Sequence, residues 1–301
     1  MLSRIHYTTC PACDSTDIHH VLSARDYTVS QQDFEIWQCN SCTLRFTQDI
    51  PQQNEIGAYY QSENYISHSN TSKGLVNRLY HAVRERSLNN KRKLIQSHLR
   101  AEDKPRLLDV GCGIGAFMHH MRNHGWQVEG VEPSEVARQN AEKQFKLTVY
   151  PSEHFFDPSF GSFDVITMWH VLEHVHQLHA YLNRLKELLR TQGTLFIAVP
   201  NYTSYDAAAY GKTWAAYDVP RHLYHFSPAS MRGLLKKHGL QLKAIRPMWF
   251  DSFYVSMLSE KYKTGKESVL KGGITGALSN AKALFDKERC SSLIYVIGRE
   301  S

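Results

Sequence analysis

The sequence lacks any apolar run of about 18 residues, the length that a helix needs to cross a membrane. Its N-terminus, MLSRIHYTTC, also lacks the apolar stretch of a secretory signal. No internal repeat or low-complexity tract interrupts the chain. These absences argue against a membrane-spanning or secreted protein, and we expect a cytoplasmic protein in a reducing compartment.

A strong excess of positive charge is missing as well. The 35 Lys and Arg residues exceed the 29 Asp and Glu residues by only 6, and they are scattered along the chain. This imbalance mildly favours anionic partners and is too weak to predict a nucleic-acid partner. The apolar and charged fractions, 42% and 21%, are those of a globular protein with one large core and room for a small appendage.

Cysteine is scarce, with six residues, yet four of them form two CxxC pairs. Two such pairs can supply the four thiolates of a tetrahedral zinc shell, and a reducing compartment favours a metal over disulfides. Short β-like runs between the pairs predict a zinc ribbon over residues 1–48 that binds one structural zinc per chain. A ribbon that presents a surface to substrate or nucleic acid is the alternative. The predicted ligands are Cys10, Cys13, Cys39 and Cys42.

Residues 49–104 predict a connector between the ribbon and a larger domain. The first part of this segment is rich in turn-forming residues. After it, Leu75, Leu79 and Val83 recur at the spacing of an amphipathic helix. This helix should lead into the main domain.

The stretch LLDVGCGIGAF, residues 107–117, combines a short buried strand, a glycine-rich turn and the start of a helix. This order is the first half of a nucleotide-binding βαβ unit. Glycines let a ligand lie against bare backbone, and the helix N-terminus adds amide donors. The turn residues that we expect to line the ligand are Gly111, Cys112, Gly113 and Gly115.

Two acidic residues flank this turn and narrow the choice of ligand. Glu132, followed by Pro133, ends the next strand about 20 residues beyond the glycines, where a carboxylate accepts hydrogen bonds from ribose hydroxyls. Asp109 would face a pyrophosphate unfavourably, whereas it suits the ammonium and sulfonium groups of S-adenosylmethionine. GCGIGA also fits a dinucleotide-binding turn, so a nicotinamide cofactor is the alternative.

With these residues and the later stretch FDVITMWHVLEHV, the chain resembles a class I S-adenosylmethionine-dependent methyltransferase. The resemblance spans residues 105–250 plus 288–301. It implies an α/β, Rossmann-like, doubly wound fold with a seven-stranded, mostly parallel sheet whose last strand is antiparallel.

The same resemblance implies the residues of the cofactor pocket. Asp109 and the glycine turn would hold the methionine part, and Glu132 with Pro133 would lie at the ribose. Two residues after the third strand would flank the adenine, and two at the end of the fourth strand would lie beside the methyl group. These four residues are Ser152, Glu153, Trp169 and His170.

His170 also opens the stretch HVLEH, which matches a zinc-peptidase pattern. On a helix, His170 and His174 would lie four residues apart on one face and could share a metal. The position of HVLEH directly after a buried strand disfavours this alternative, because that pattern belongs in a long helix. The resemblance instead predicts that His170 acts in catalysis, beside the methyl group.

The stretch YDVPRHLYHF, residues 217–226, should lie over the methyl donor, because open parallel sheets bind ligands outside the carboxyl ends of their strands. Arg221 predicts a bidentate clamp for an acceptor phosphate or carboxylate, and His222 or His225 predicts a base. The stretch resembles an element of methyltransferases that carry an N-terminal zinc ribbon, many of them linked to sugar, cell-surface polysaccharide or secondary-metabolite pathways. A small or carrier-linked, sugar-related acceptor is therefore expected.

Residues 251–287 predict a lysine-bearing helical insertion before the last strand. A basic, partly apolar segment of this kind either caps a substrate site or contacts a membrane surface, here through residues 252–285. Two further interpretations stay open: an RNA methyltransferase with the ribbon as its platform, and a cofactor-binding protein without turnover. A continuous basic face would favour the first, and loop histidines that point away from the methyl group would favour the second.

Overall fold

A computed structural model describes residues 4–61, 75–99, 104–266 and 268–300, with side chains in the first helix described from residue 83 onward. The second half of the predicted turn-rich stretch and the side chains of Leu75 and Leu79 lie outside the described residues. The strands are β1 Arg4–Ile5, β2 Ile18–Arg25, β3 Asp33–Cys39, β4 Arg45–Thr47, β5 Ile50–Pro51, β6 Arg106–Val110, β7 Gln127–Val131, β8 Val149–Tyr150, β9 Phe163–Trp169, β10 Leu189–Pro200, β11 Tyr224–His225, β12 Leu240–Pro247 and β13 Ser292–Arg299. The helices are α1 Leu75–Gln96, α2 Ala116–Arg122, α3 Glu135–Phe145, α4 Leu178–Leu188, α5 Tyr205–Tyr210, α6 Pro228–Lys237, α7 Asp251–Thr264 and α8 Val269–Phe285.

The largest sheet of the described residues has seven strands in the order β12-β13-β10-β9-β6-β7-β8. The strands from β10 to β8 in this order pair in parallel, whereas β13 is antiparallel to both of its neighbours. Strands β6 and β9 are almost wholly buried, as expected for parallel strands covered on both faces. The predicted fold class, with its antiparallel last strand, is therefore confirmed.

The helices that cover this sheet follow from local sequence patterns. In α4, Leu178, Leu182 and Leu185 recur every three to four residues and are buried, because they form the face that packs on the sheet. Helix α6 begins where a serine–proline pair predicts a start. The Ser227 hydroxyl accepts a hydrogen bond from the Ser230 amide, and the Ser230 hydroxyl accepts one from the Ser227 amide.

The N-terminal ribbon shares a strand with the catalytic part of the chain. Strands β2, β3 and β4 form an antiparallel sheet whose fourth member is β11, from the predicted loop 217–226. Phe46 pairs with Tyr224, and both side chains belong to a buried cluster that extends into the large sheet. The ribbon is therefore joined to the main domain by hydrogen bonds and by a common apolar core.

Helices α7 and α8 form a hairpin inserted between β12 and β13. The two helices approach so closely that only glycine fits at two positions of α8. A Cβ atom on Gly272 would lie 2.6 Å from the Met257 Cα of α7, and one on Gly276 would lie 2.9 Å from the Phe253 Cα. None of the described helices has the length and apolarity required to cross a membrane. Exposed apolar residues of α8 are Val269, Leu270, Ile274, Leu278, Leu284 and Phe285.

Candidate functional site

The glycine turn between β6 and α2 presents bare backbone at the carboxyl end of the sheet. Gly111, Gly113 and Gly115 have φ angles of +72°, +55° and +77°, which favour glycine. A Cβ atom built on Gly113 would meet nothing within 4 Å, so the backbone there borders open space. A Cβ atom on Gly111 would lie 2.3 Å from the Val171 side chain, so the segment after β9 packs directly on the turn.

Asp109 lies beneath this turn as a buried carboxylate. Its Oδ1 accepts a hydrogen bond of 2.6 Å from the Thr167 hydroxyl on the adjacent strand β9. Burial raises the pKa of Asp109 to about 7, against the opposing effects of Thr167 and of the positive charge on Lys91. An ionised Asp109 is therefore costly unless a cationic ligand accompanies it.

Glu132 lies on the other side of the turn. Its two carboxylate oxygens accept hydrogen bonds of 2.9 Å from the amides of Gly113 and Ser134. Burial still raises the pKa of Glu132, because these hydrogen bonds compensate it only in part. Of the neighbouring predicted residues, Cys112 donates its amide to the Val131 carbonyl at 3.2 Å, and Pro133 is exposed.

These features fit S-adenosylmethionine. Two buried carboxylates with raised pKa values flank open backbone, which suits a ligand that carries an ammonium group and ribose hydroxyls. At the end of β9, the buried Trp169 Nε1 has no hydrogen-bond partner in the described part of the chain. The Trp169 ring also lies 4.2 Å from the Lys91 ammonium, on α1.

The residues predicted to flank the adenine follow β8, on the same side of the sheet. Ser152 begins a short 3-10 helix, Ser152–Phe156, and is half-buried, whereas Glu153 is exposed. No hydrogen bond of the described residues joins either side chain to the glycine turn. Their contact with an adenine stays a prediction.

His170 is held between two carboxylates. Its φ angle of +56° is unusual for a histidine, its Nε2 lies 2.9 Å from Asp251 Oδ2, and its Nδ1 lies 3.3 Å from Glu173 Oε1. Burial opposes the charged form, but Asp251 and Glu173 outweigh it and raise the pKa of His170 to about 10. His170 is therefore a cation near pH 7, which suits a positioning or electrostatic role better than that of a base.

Glu173, His174 and His222 come together although they belong to separate segments. One oxygen of Glu173 and one nitrogen of each imidazole lie within 4.8 Å of one another. Burial and the neighbouring His222 lower the pKa of His174 to about 4, so this ring is neutral near pH 7. Tyr60, from the ribbon side, brings its hydroxyl within 3.0 Å of His174 Nδ1. The cluster can accept a proton or bind a cation.

Arg221 does not form the acceptor clamp expected from the sequence. Its guanidinium is 1% exposed and donates to Asp218 at 2.6 and 3.0 Å, to Asp26 at 3.1 Å and to the Tyr59 carbonyl at 2.8 Å. Since Asp26 belongs to the ribbon, the ion pair joins the ribbon to the loop. The clamp is corrected to a structural role, because few donors of Arg221 remain for a ligand.

His225 likewise departs from its expected role as a base. It is 3% exposed, and its Nε2 lies 3.1 Å from the Thr47 hydroxyl, which itself donates to the His222 carbonyl at 2.7 Å. Burial lowers the pKa of His225 well below its usual range. Of the two predicted bases, only His222 lies in the cluster with Glu173 and His174.

Glu173 and His174 appeared in the sequence only within the disfavoured HVLEH pattern, and four further residues of this site were not predicted. Asp218 lies within the quoted stretch 217–226, so its acidic side chain next to an arginine was a usable signal. The other three come from distant segments and carry no local signature. They are Asp26, Tyr60 and Asp251.

The four N-terminal cysteines form a compact cluster. The Sγ atoms of Cys10 and Cys42 are 3.5 Å apart, as are those of Cys13 and Cys39, and all four lie within 4.8 Å of one another. Zinc–sulfur bonds of about 2.3 Å give tetrahedral sulfur–sulfur edges of about 3.8 Å. The four free thiols therefore fit a closed zinc shell.

Comparison with known proteins identifies related sequences. Residues 81–245 match a family described as Methyltransferase domain. A ubiquinone biosynthesis O-methyltransferase of Nitrosococcus oceani is 30% identical over 186 residues, which are 58% of this chain and 76% of that protein. A protein of the same name from Xanthomonas axonopodis pv. citri is 30% identical, over 48% of this chain and 66% of its own length.

Solved structures are similar at lower identity. A SAM-dependent methyltransferase from Archaeoglobus fulgidus has a TM-score of 0.49 and 18% identity, covering 71% of this chain and 93% of that chain. Magnesium protoporphyrin IX methyltransferase from Synechocystis has a TM-score of 0.49 and 14% identity, covering 77% of this chain and 90% of its own. Similarities at this level carry no argument about the acceptor.

Proposed function

This chain belongs to the methyltransferase domain family and is an S-adenosylmethionine-dependent methyltransferase, and we propose that its acceptor is a hydroxyl group of a small molecule. S-adenosylmethionine supplies a methyl group on a sulfonium, which an oxygen nucleophile takes by in-line displacement. The relatives' name supports an oxygen acceptor. It gives no support to the sugar-related or carrier-linked acceptor expected from the sequence.

The observation that carries the proposal is the adjacency of two chemically different regions at one edge of the sheet. The first is the glycine turn with Asp109 and Glu132, whose buried carboxylates suit the methyl donor. The second is the cluster of Glu173, His174 and His222. Val171 connects them, since its side chain packs on Gly111.

In this proposal the cluster receives the acceptor and removes the proton from its hydroxyl group. A polar cluster beside the donor holds the reacting oxygen in position, which is the largest contribution expected for methyl transfer. Proton removal by a positioned group adds about a hundredfold or more. His170, a cation between Asp251 and Glu173, keeps the Glu173 carboxylate fixed.

The ribbon supports this arrangement through zinc. We propose a structural ion at the four cysteines, since their sulfur atoms fit a closed shell without an open position. The ordered ribbon then supplies Asp26 to Arg221 and Thr47 to the His222 carbonyl. A reducing cytoplasm, in which the thiols stay reduced, is the proposed compartment.

A peripheral membrane contact through α8 is also part of the proposal. Leu270 and Phe285 are 76% and 95% exposed, and Lys271 and Lys282 are exposed on the same helix. Apolar side chains next to lysines suit the surface of an anionic bilayer.

Methyl transfer from a radiolabelled donor to a panel of phenols, aliphatic alcohols, amines and nucleotide sugars tests the acceptor class. We expect label on a hydroxyl oxygen, and His222→Gln should reduce turnover about a hundredfold while the Kd for S-adenosylhomocysteine stays within about threefold. The matched control is His176→Gln, since His176 binds the Pro51 carbonyl outside the cluster. Label on nitrogen or carbon would refute the oxygen acceptor.

A further inference from the structure

We propose that Glu173, His174 and His222 form a second metal site, separate from the cysteine cluster, which binds one divalent transition-metal ion. Two imidazole nitrogens and one carboxylate oxygen, here within 4.8 Å of one another, are a donor set that suits zinc and other first-row ions. Only the last step of the argument, in which the ion meets the acceptor oxygen, rests on the proposed function.

Both imidazoles are held in the tautomer that a metal requires. The Ala216 carbonyl lies 2.8 Å from His222 Nδ1, and the Arg221 carbonyl lies 3.0 Å from His174 Nδ1. A carbonyl oxygen only accepts hydrogen bonds, so the proton belongs on each Nδ1, where the Tyr60 hydroxyl at 3.0 Å from His174 Nδ1 acts as a second acceptor, and each Nε2 keeps its lone pair. Metal-binding histidines usually donate their other nitrogen to a carbonyl or carboxylate in this way.

Glu173 supplies the observation that points to a ligand. Its side chain is 0% exposed, and its Oε2 has no hydrogen-bond partner among the described residues. The other oxygen, Oε1, is 3.3 Å from His170. A buried carboxylate oxygen without a partner is costly, and a cation bound between Glu173 and the two imidazoles would satisfy it.

The charges around the cluster are compatible with a bound cation. Asp218 adds a second carboxylate, with its Oδ2 at 3.9 Å from His222 Nε2. Two cations beside the cluster have carboxylate partners outside it, Asp26 for Arg221 and Asp251 for His170. Their charges are thus largely neutralised before an ion binds.

The donor set differs from the one that the HVLEH pattern suggests. That pattern would pair His170 with His174 on a helix, but this stretch is a turn in which His170 is directed to Asp251. His222, from the distant loop, takes the position beside His174 instead, with the two ring centroids 4.6 Å apart. The site therefore exists only in the folded chain.

A three-ligand ion keeps open coordination positions, which an acceptor hydroxyl can occupy. A divalent ion held there would lower the pKa of that hydroxyl, so that its proton would leave to water; the oxygen would then bond to the methyl carbon as the methyl–sulfonium bond breaks and S-adenosylhomocysteine leaves. This deepens the proposed function, because the ion would then account for the proton removal assigned to the cluster.

Metal content of the full-length protein provides the test. After loading with zinc and removal of loosely bound ions, we expect two zinc ions per chain in the wild type and one in Glu173→Gln and in His222→Gln. Cobalt titrated into the protein with zinc in its cysteine cluster should give visible d–d absorption without sulfur-to-cobalt charge transfer. Each variant should weaken this cobalt binding about a hundredfold or more. His176→Gln serves as the matched control and should bind as the wild type does.

One zinc per chain in the wild type, or unchanged cobalt binding in both variants, would overturn the second site. Thermal unfolding and S-adenosylhomocysteine affinity verify that the variants fold, and His174→Gln provides a third variant if one does not. The two proposals fail separately: cobalt binding without hydroxyl methylation contradicts the acceptor, whereas methylation by a chain with a single zinc contradicts the second metal.

Discussion

The affinity for the methyl donor should depend on pH through Asp109. Its pKa of about 7 means that the free protein carries a neutral carboxyl group at lower pH, whereas a ligand ammonium group requires the carboxylate. Ligand binding must then release a proton below pH 7, and affinity should fall about tenfold for each pH unit below that value. The ligand's ammonium group is that of a free amino acid, whose adjacent carboxylate keeps its pKa above the value near 8 of a chain terminus, so affinity should reach a plateau above about pH 7.5.

Calorimetry with S-adenosylhomocysteine from pH 5.5 to 8.5 measures this dependence directly. Asp109→Asn keeps an oxygen for the Thr167 hydroxyl, so it should bind roughly ten- to a hundredfold more weakly at pH 7.5 and lose the acidic limb. Lys91→Met should move the midpoint of the acidic limb upward, because the Lys91 charge lowers the pKa of Asp109.

The matched control is Glu129→Gln, a carboxylate on β7 that pairs with Arg106 at 2.6 Å outside the site. It should leave the affinity and its pH dependence unchanged. Affinity that stays constant from pH 5.5 to 7 in the wild type, or an acidic limb that persists in Asp109→Asn, would refute the role of this carboxylate.

Three further predictions concern stability and surface. Without ligand, Asp109→Asn should raise the free energy of unfolding, because the pKa of Asp109 in the folded chain is above the unfolded value near 3.9. The gain should grow from pH 4 to 7 and reach about 4 kcal/mol at most. Urea titrations that show no gain at pH 8 would contradict this prediction. Arg221→Met should lower the free energy of unfolding by about 3–5 kcal/mol in urea titrations, because Asp26 would stay buried without its partner. Asp26→Asn in the same chain should recover part of this loss. A loss below about 1 kcal/mol would contradict a buried ion pair. Leu270→Ser with Phe285→Ser should abolish sedimentation with anionic vesicles, whereas Val136→Ser, at an exposed apolar residue of α3, should not; equal sedimentation of all three proteins would exclude α8 as the contact.

The sequence predicted those parts of the molecule that depend on local patterns. The strand before Gly111, the glycine turn and the serine–proline start of α6 each depend on residues a few positions apart in the sequence, so spacing and residue type are sufficient. The spacing within each CxxC pair predicts two neighbouring thiols, and in the structure all four sulfur atoms lie within 4.8 Å of one another.

The errors arose where distant segments meet. Arg221 has the chemistry of an anion clamp, but Asp26, 195 positions earlier, takes one of its hydrogen bonds. Nothing in the loop itself predicts that β11 pairs with β4 of the ribbon. For the same reason the disfavoured pattern HVLEH paired His170 with His174, whereas the cluster consists of Glu173, His174 and His222, which joins them through tertiary folding.

The strand that the ribbon and the loop hold in common limits how this enzyme can be shortened or recombined. A chain from which the N-terminal ribbon has been removed would lack β4, the strand that pairs with Tyr224 and His225. It would also lack Asp26, one of the two carboxylates that bind Arg221. Exchange of the N-terminal module with that of another enzyme would succeed only if residues 217–226 were exchanged with it. The two parts are therefore expected to vary together among related chains, as a single inherited unit.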